Sequence, residues 1–303
     1  MSSDELNFMT MGDEGFANTI ICSTKQIAEL YPDATVYVYD WGLDEESHSE
    51  LDRMDTTIIV DWQHESKYKV GSLDNLRLRF EEMIFGNMYS DHLYSEFAGL
   101  QYSMIERRKD LYMCQKPQCI LDCAERVEEN LFFIDGDAVV LNQIDDLFDL
   151  DFDVGVTLRP KIETALKERE WKERFLNAGI IFFKCSSELI EHFVTEWLDV
   201  INSKKSFGLR EQRSLTHLVQ KADPDPTDDY YRTGTLTLDG PDTTVMTLPC
   251  EKYNYYWIDN GFDVDLQKVL HFKDGLHNDE IFKDVITSIE NGNPEKWGQD
   301  IRY

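Results

Sequence analysis

Hydrophobic positions near the N-terminus alternate between two periods. Short runs rich in β-branched and aromatic residues, which are typical of strands, are separated by segments with the 3.6-residue period of amphipathic helices. This alternation predicts parallel strands joined by right-handed helical crossovers, as in half of a Rossmann-like domain. The predicted elements are strands over Leu6–Met11, Ala34–Asp40 and Thr56–Asp61 and helices over Ala17–Leu30 and Glu45–Met54.

The rest of the chain continues this mixed α/β pattern. We find no internal repeat and no low-complexity linker, so we predict one domain over residues 1–275, with a C-terminal helix and tail, residues 276–303, packed on it. Leu73–Arg108 is predicted to be mostly helical, and Thr164–Arg174 is either a helix or a loop. The remaining predicted strands are Leu131–Ile134, Phe152–Leu158, Leu176–Lys184, Thr243–Leu248 and Val269–Phe272, and the remaining predicted helices are Gln118–Val127, Ser187–Ile201, Glu211–Val219 and Glu280–Glu290.

Two aspartates interrupt an apolar stretch in the middle of the chain. The run Leu131–Ile134 ends at Asp135-Gly136-Asp137, and apolar residues resume directly afterwards. Carboxylates at the end of a buried strand are costly unless something binds them, and hard oxygen ligands suit Mg²⁺ or Mn²⁺. Gly136 lets the turn bend so that both acids can face one ion. The alternative is an ordinary Asp-Gly turn with both acids solvated, and this segment alone does not decide between them.

Composition narrows the classes of partner. The 303 residues include 59 Asp plus Glu against 30 Lys plus Arg, a formal charge of −29, which argues against a nucleic-acid partner because phosphate contacts need a basic surface. Such an acidic surface fits a soluble protein in high salt, where self-repulsion is screened. The sequence has no run near the ~20 apolar residues of a transmembrane segment and no signal-peptide pattern, so we expect a cytoplasmic protein, in its own cell or in the cytosol of a host.

Six cysteines raise the question of a second metal site. No Cys-x-x-Cys pair occurs, although Cys114, Cys119 and Cys123 lie close together in sequence. A metal cluster would need a fourth ligand and more usual spacing. We therefore predict buried, reduced thiols.

Several segments, in a fixed order, resemble the GT-A fold glycosyltransferases of the glycogenin-like, nucleotide-diphospho-sugar transferase kind. The likeness runs from about Leu6 to Gly275, and although no single motif is specific, six motifs in the same order make chance agreement unlikely. The segments that carry it are Val36–Leu43, Lys116-Pro117, Asp135-Gly136-Asp137, Asn177-Ala178-Gly179-Ile180, Glu211-Gln212 and His271-Phe272-Lys273.

The resemblance implies a fold, an activity and a metal. The fold is a Rossmann-like α/β domain with a mixed, mostly parallel central sheet flanked by helices. The activity is transfer of a sugar from a nucleotide-diphosphate donor, with UDP-sugar favoured and the anomeric configuration retained, to an acceptor hydroxyl on a glycan, a protein or a lipid-linked molecule. The implied cofactor is Mn²⁺ or Mg²⁺, held by Asp135, Asp137 and His271.

The resemblance also implies roles for further residues. Gln212 is the main catalytic candidate, with Glu211 and Asn177 beside it, and the donor sugar is expected against Asn177, Ala178, Gly179 and Glu211. The predicted contacts to the donor nucleotide and its diphosphate are Thr10, Met11, Gly12, Lys116, Gly136, Lys273 and Gly275.

Some of these roles have alternatives. Lys116 could reach the diphosphate or only cap a helix start. Glu211 is longer than the aspartate usual at its position, which leaves open a role as base in an inverting reaction.

Two rival functions remain. A sugar nucleotidyltransferase shares the sheet and the paired acids, but that class usually carries a Gly-rich, basic loop after the first strand, whereas Thr10–Glu14 is acidic. A catalytically inactive nucleotide-sugar-binding protein is disfavoured by the intact Asp135, Asp137 and His271. Metal-dependent binding of UDP separates a transferase from a structural protein, and release of pyrophosphate from a nucleoside triphosphate would mark a nucleotidyltransferase.

Overall fold

Strands of the predicted Rossmann-like half form one edge of a larger sheet. The structure is a computed structural model that describes residues 6–62, 110, 113–160, 175–203, 209–258, 262–263, 265–273 and 280–290. The predictions for Leu73–Arg108, Thr164–Arg174 and Gly275 lie outside the described residues. The strands are β1 Asn7–Gly12, β2 Thr35–Asp40, β3 Thr57–Asp61, β4 Glu129–Ile134, β5 Ala138–Val140, β6 Val154–Leu158, β7 Leu176–Ser186, β8 Thr233–Leu236, β9 Thr243–Pro249 and β10 Val269–His271.

Helices connect the strands close to their predicted positions. The first of them begins and ends where the hydrophobic period predicts. Lys116-Pro117 opens the next long helix as expected, with Pro117 in its first turn, but that helix ends at Ala124, three residues before the predicted Val127. The helices are α1 Ala17–Leu30, α2 Glu45–Leu51, α3 Lys116–Ala124, α4 Ser187–Ser203, α5 Arg210–Val219, α6 Cys250–Tyr253 and α7 Glu280–Glu290, with 3₁₀ turns at Asp145–Leu147 and Pro226–Asp228.

The central sheet is mixed and mostly parallel, as predicted. Its eight strands lie in the order β3-β2-β1-β4-β7-β6-β9-β8. Neighbours from β3 through β4, and the pair β6 and β9, are parallel, whereas β7 is antiparallel to both β4 and β6. A second sheet of β5 and β10, antiparallel, stands beside it. The parallel strands therefore deliver their carboxyl ends, including that of β4, to one edge.

Three short elements were not predicted. These are β5, β8 and α6, of three to four residues each. The sequence of β8, Thr-Gly-Thr-Leu, contains a glycine that weakens a strand signal, and a run this short carries little periodic information. Tertiary pairing, with β9 for β8 and with β10 for β5, defines the two strands.

Apolar side chains are buried on both faces of the central sheet. Adjacent residues of β4 point to opposite faces, with Phe133 in one core cluster beside Trp197 of α4 and Phe132 in the other beside Phe182. The continuous apolar run of Leu131–Ile134 is the consequence, because a strand covered on both faces has no solvent side.

The C-terminal helix packs on the small sheet. Phe282 of α7 meets Phe272, just after β10, edge to face with ring centroids 4.8 Å apart, and Val285 joins the same cluster as Leu270. Among the described residues, no helix combines the length and apolarity needed to cross a bilayer.

None of the six cysteines forms a disulfide, and Cys114, Cys119 and Cys123 are fully buried. Burial raises the pKa of each of these three thiols above its ordinary value. They lie in the core cluster beside Trp197 and Phe133. The prediction of buried, reduced thiols is confirmed for five of the six cysteines, and Cys185 is half-buried.

Substituting Tyr31 tests the contact between α1 and the segment after β5. Its hydroxyl donates to Asp145 Oδ1 at 3.0 Å and accepts from the Ile144 backbone N–H at 2.6 Å. Tyr31→Phe leaves that buried N–H unpaired, so we expect a loss of about 1–3 kcal/mol in the free energy of unfolding. Urea denaturation measures it. Tyr37→Phe, which gives up only a 3.5 Å contact to the Arg126 carbonyl, is the matched control and should lose clearly less. Equal losses in the two variants would contradict the assignment.

Candidate metal centre

A turn and one strand pairing bring the three predicted metal ligands together. Asp135 and Asp137 occupy the turn between β4 and β5, and β10 pairs with β5 so that His271 faces Ala138. The backbone N–H of Phe272 donates to the Asp137 carbonyl at 2.7 Å. The small antiparallel sheet thus carries a residue from near the C-terminus to the carboxyl end of β4.

The three side chains form a compact ligand set. His271 Nε2 lies 3.0 Å from Asp137 Oδ1 and 3.9 Å from Asp135 Oδ2. One ligand atom from each of Asp135, Asp137 and His271 falls within 4.8 Å of the others. The aspartates are 16% and 20% exposed and the histidine 5%, so the set is recessed but reachable. Two carboxylates and one imidazole fit a divalent ion such as Mn²⁺.

Both glycines of the candidate motifs stand where a side chain would collide. A Cβ on Gly136 would lie 2.3 Å from the Met11 carbonyl oxygen, and one on Gly179 would lie 2.4 Å from His271 Cε1 and 2.9 Å from Asp135 Oδ2. Gly136 therefore lets the turn close against β1, and Gly179 makes room for the His271 ring. These requirements are steric and come from neighbours distant in sequence.

The Lys116 ammonium contacts Asp135, Glu211 and a backbone carbonyl of the site. Its Nζ lies 2.8 Å from Asp135 Oδ1, 2.8 Å from Glu211 Oε1 and 3.0 Å from the Ala178 carbonyl oxygen, and its side chain is 2% exposed. Burial alone would lower the pKa of Lys116, but Asp135 and Glu211 raise it above its ordinary value. The ammonium is therefore occupied by three protein oxygens, and it does more than begin a helix.

The carboxyl groups of the site would be stabilised by an added cation. Asp135, Asp137 and Glu211 supply three carboxyl groups, and the Lys116 ammonium contacts two of them, Asp135 and Glu211. Burial raises the pKa of Glu211, opposed by Lys116. An added divalent ion at Asp135, Asp137 and His271 would offset the remaining negative charge.

Two buried amides in the same region have unpaired donors. Asn177 Oδ1 accepts from the Gly179 backbone N–H at 3.0 Å, but Asn177 Nδ2 has no partner among the described residues. Gln212 Nε2, on the first turn of α5, is likewise buried and without a partner there. Unpaired buried donors are costly, so both amides suit hydrogen bonds to a bound ligand.

The start of α5 is anchored by an ion pair that the sequence did not predict. Asp110 accepts from the Arg210 backbone N–H at 2.8 Å and from Arg210 Nε at 2.7 Å, and both residues are buried. Leu209, at the N-cap, has a left-handed φ of 54° and provides no side-chain cap. Asp110 therefore caps, from a distant segment, the helix that carries Glu211 and Gln212. In the sequence, Asp110 follows the basic run Arg107-Arg108-Lys109, and a charged run of this kind does not indicate that Asp110 is buried.

The predicted nucleotide-binding residues are dispersed along the edge of the sheet. Thr10 and Met11 are buried in β1, and the Gly12 carbonyl accepts from the Trp41 backbone N–H at 2.9 Å. Lys273, two residues beyond His271, places Nζ 3.1 Å from the centroid of the Tyr256 ring. Of this predicted set, Gly275 lies outside the described residues.

Sequence reasoning also missed two residues behind His271. Asn254 Oδ1 lies 2.7 Å from His271 Nδ1 as a hydrogen-bond acceptor, and Asn254 Nδ2 donates to Thr157 Oγ1 at 2.8 Å. Asn254 sits within the aromatic run Tyr253–Trp257, and Tyr253 itself is core, with its hydroxyl on Asp146. The signal was an asparagine amid aromatic residues, where a polar group needs a partner.

Comparison with known proteins bears on the fold. No family model matches the sequence, and no curated protein matches it significantly. The bifunctional glycosyltransferase WbbM matches in structure with a TM-score of 0.50 at 13% identity, over 98% of this chain and 51% of WbbM. The fold is that of GT-A glycosyltransferases. This chain spans about half the length of WbbM.

Other matches are more distant in geometry. The galactosyltransferase LgtC, solved with donor and acceptor sugar analogues, gives a TM-score of 0.46 at 11% identity over 95% of this chain and 96% of LgtC. GlyE of Streptococcus pneumoniae TIGR4 gives 0.45 at 14% identity over 89% of this chain and 55% of GlyE. At this level of similarity, neither LgtC nor GlyE assigns any chemistry to this chain.

Removing the Lys116 ammonium tests its structural role. Lys116→Met leaves Glu211 buried without its counter-charge, so we expect a loss of about 3–5 kcal/mol in the free energy of unfolding. Adding Glu211→Gln should restore part of that loss, because the uncompensated carboxylate is gone. Urea denaturation of the two single variants and the double variant measures the coupling.

An exposed ion pair of the same length provides the control. Lys25 Nζ lies 2.8 Å from Glu50 Oε1, with both side chains about two-fifths exposed. Lys25→Met should cost less than about 1 kcal/mol, because water screens the pair. Additive losses in the double variant of Lys116 and Glu211 would show that the buried contact does not stabilise the site.

Proposed function

We propose that this protein is a metal-dependent glycosyltransferase that moves a sugar from a nucleoside-diphosphate donor, a UDP-sugar, to an acceptor hydroxyl. The observation that carries the proposal is the convergence of Asp135, Asp137 and His271 at the carboxyl end of β4. Open α/β sheets bind ligands at the carboxyl ends of their strands, and hard carboxylate ligands suit an ion that bridges to a diphosphate.

The ligand set favours Mn²⁺ over Mg²⁺. An imidazole beside two carboxylates suits the transition metal, whereas Mg²⁺ prefers oxygen ligands alone. When bound, such an ion neutralises charge on the departing nucleoside diphosphate as a Lewis acid. The protein contributes the orientation of the ligands, with Lys116 holding Asp135 and Gly179 leaving space for His271.

The buried polar side chains beside the metal centre suit the donor sugar. Asn177 Nδ2 and Gln212 Nε2 are unpaired donors that can bond sugar hydroxyls or the charge that develops as the glycosidic bond breaks. Glu211, held by Lys116 and 3% exposed, is a positioning residue more than a base. This supports retention, in which the departing phosphate oxygen takes the acceptor proton and no carboxylate base is required.

An aromatic surface near the metal centre suits the acceptor. Tyr256 and Trp257 are stacked with centroids 4.0 Å apart, both are half-buried, and Lys273 lies over Tyr256. Aromatic faces pack well against the apolar faces of sugar rings. Trp257 covers one face of the Tyr256 ring and Lys273 the other, so we place the acceptor, a glycan or a glycosylated protein or lipid, against Trp257.

Titration with nucleotide sugars tests the proposal. We expect one UDP-sugar to bind wild-type protein in the presence of Mn²⁺ and to bind far more weakly without it. Asp135→Asn and Asp137→Asn should each weaken the Mn²⁺-dependent binding more than about tenfold, or about 1.4 kcal/mol, by removing a carboxylate charge from the ion. Isothermal titration calorimetry gives the affinities.

A matched variant shows whether the effect is local. Asp149→Asn removes one exposed carboxylate of the same chain and should leave the affinity unchanged. Binding indifferent to Mn²⁺ and to both site variants would refute the metal-dependent transferase. Release of pyrophosphate from a nucleoside triphosphate would instead identify a nucleotidyltransferase.

A further inference from the structure

A chain of buried hydrogen bonds runs from the metal centre into the central sheet. His271 Nδ1 lies 2.7 Å from Asn254 Oδ1, Asn254 Nδ2 lies 2.8 Å from Thr157 Oγ1, and Thr157 Oγ1 lies 2.8 Å from the Asn177 carbonyl oxygen. The four residues are at most 4% exposed, so water does not compete with these bonds.

The far end of the chain sets its direction. The Asn177 carbonyl can only accept, so the single proton of the Thr157 hydroxyl is donated to it. Thr157 Oγ1 must then accept from Asn254, which places the amide Nδ2 toward Thr157 and Oδ1 toward His271. Because Oδ1 has no proton, His271 Nδ1 must be the donor, and Nε2 is the ring nitrogen that faces Asp137 Oδ1, at 3.0 Å, in the metal centre.

The neighbouring thiol does not reverse this order. Cys250 is buried and contacts the Thr157 hydroxyl, and burial raises the pKa of Cys250 to about 12. A neutral thiol is a weak acceptor, and its S–H can serve the second lone pair of Thr157. The Asn177 carbonyl remains the stronger acceptor for the Thr157 proton.

We propose that Asn254 and Thr157 are positioning residues that hold the His271 ring in the orientation and tautomer needed to ligate the metal. Through the same hydrogen bonds they join the metal centre to Asn177, at the start of a bulge in β7. This inference rests on the proposed metal-dependent function and adds the residues that prepare its histidine ligand.

The hydrogen bonds of Thr157 also reach a bulge in β7. Successive residues Val156 and Thr157 of β6 pair with Ile181 and Asn177 of β7, so Ala178, Gly179 and Ile180 bulge away from β6. Gly179 in that bulge faces His271, and the Ala178 carbonyl accepts from Lys116. Thr157 therefore fixes, through one side chain, the imidazole on one side and the backbone of the sugar-facing segment on the other.

Near-isosteric substitution at Thr157 isolates the hydrogen bond. Thr157→Val removes the hydroxyl, and Thr157→Ser keeps it. We expect Thr157→Val to weaken Mn²⁺ binding by about 10- to 100-fold, as is usual when a partner behind a metal ligand is lost. Thr157→Ser should stay within about threefold of wild type by retaining that partner. Asn254→Leu, which removes the bond to Nδ1 itself, should weaken binding at least as much as Thr157→Val.

Titration of protein with Mn²⁺ in the presence of saturating UDP, followed by the electron paramagnetic resonance signal of free Mn²⁺, measures these affinities. Thr247→Val is the matched control: Thr247 is also fully buried, on β9, and its hydroxyl donates to backbone carbonyls away from the ligand set. It should lose stability while keeping wild-type Mn²⁺ affinity. Equal affinity in wild type, Thr157→Val and Asn254→Leu would overturn the inference.

The tautomer itself gives a second readout, independent of catalysis and of metal. Long-range ¹H–¹⁵N spectra of metal-free protein at pH 8, with His271 assigned through His271→Gln, show which ring nitrogen is protonated. We expect Nδ1 to carry a proton in wild type and Thr157→Ser, whether or not Nε2 also carries one toward Asp137, and we expect part of the Thr157→Val protein to lack the Nδ1 proton. A ring with a proton on Nε2 and none on Nδ1 in wild type would overturn the proposed hydrogen-bond chain.

The two readouts separate the inference from the function on which it rests. Failure of wild type to bind Mn²⁺ would remove the proposed metal centre and the ligating role of His271. Mn²⁺ binding that is lost in Asp137→Asn but unchanged in Thr157→Val would leave the metal centre standing and overturn only the positioning role of Thr157.

Discussion

The buried ammonium of Lys116 ties together the elements that build the site. It reaches Asp135 after β4, Glu211 on α5 and the Ala178 carbonyl in β7, at 2.8 to 3.0 Å. A buried lysine is tolerated only with such partners, and the partners in turn would be unpaired charges and dipoles without it. The positions of Asp135, of α5 and of the β7 bulge therefore all depend on contacts with this one ammonium group.

His271 joins this arrangement through different forces. The pairing of β10 with β5 sets its backbone, the absence of a side chain at Gly179 gives its ring room, and Asn254 orients the ring from behind. Hydrophobic packing of Phe272 against Phe282 secures β10 on the outside. A residue far from the aspartates in sequence is thus held next to them by sheet register, sterics and hydrogen bonding together.

Periodicity in the sequence predicted most long elements, because strands buried on both faces and amphipathic helices leave strong patterns. It missed β5, which depends on pairing with the distant β10, and β8, a four-residue strand with a glycine that is defined by pairing with β9. The ligand set Asp135, Asp137 and His271 was predicted from motif order, and the structure brings it together. The partners of Lys116 could not be predicted, since its position before Pro117 indicates a helix start and contains nothing about Glu211. The roles of Asn254 and Asp110 could not be predicted either, because they come from tertiary contacts with His271 and Arg210.

In the proposed complex, Asp135, Asp137 and His271 hold one ion that a donor diphosphate also binds. Pulsed electron paramagnetic resonance of protein with Mn²⁺ and UDP tests this directly, because it detects nuclei bound to the metal. We expect ¹⁴N coupling from an imidazole together with ³¹P coupling from the diphosphate in the same complex. The ¹⁴N coupling should be lost in His271→Gln. Mn²⁺ that shows ³¹P coupling without ¹⁴N coupling in wild type would contradict it.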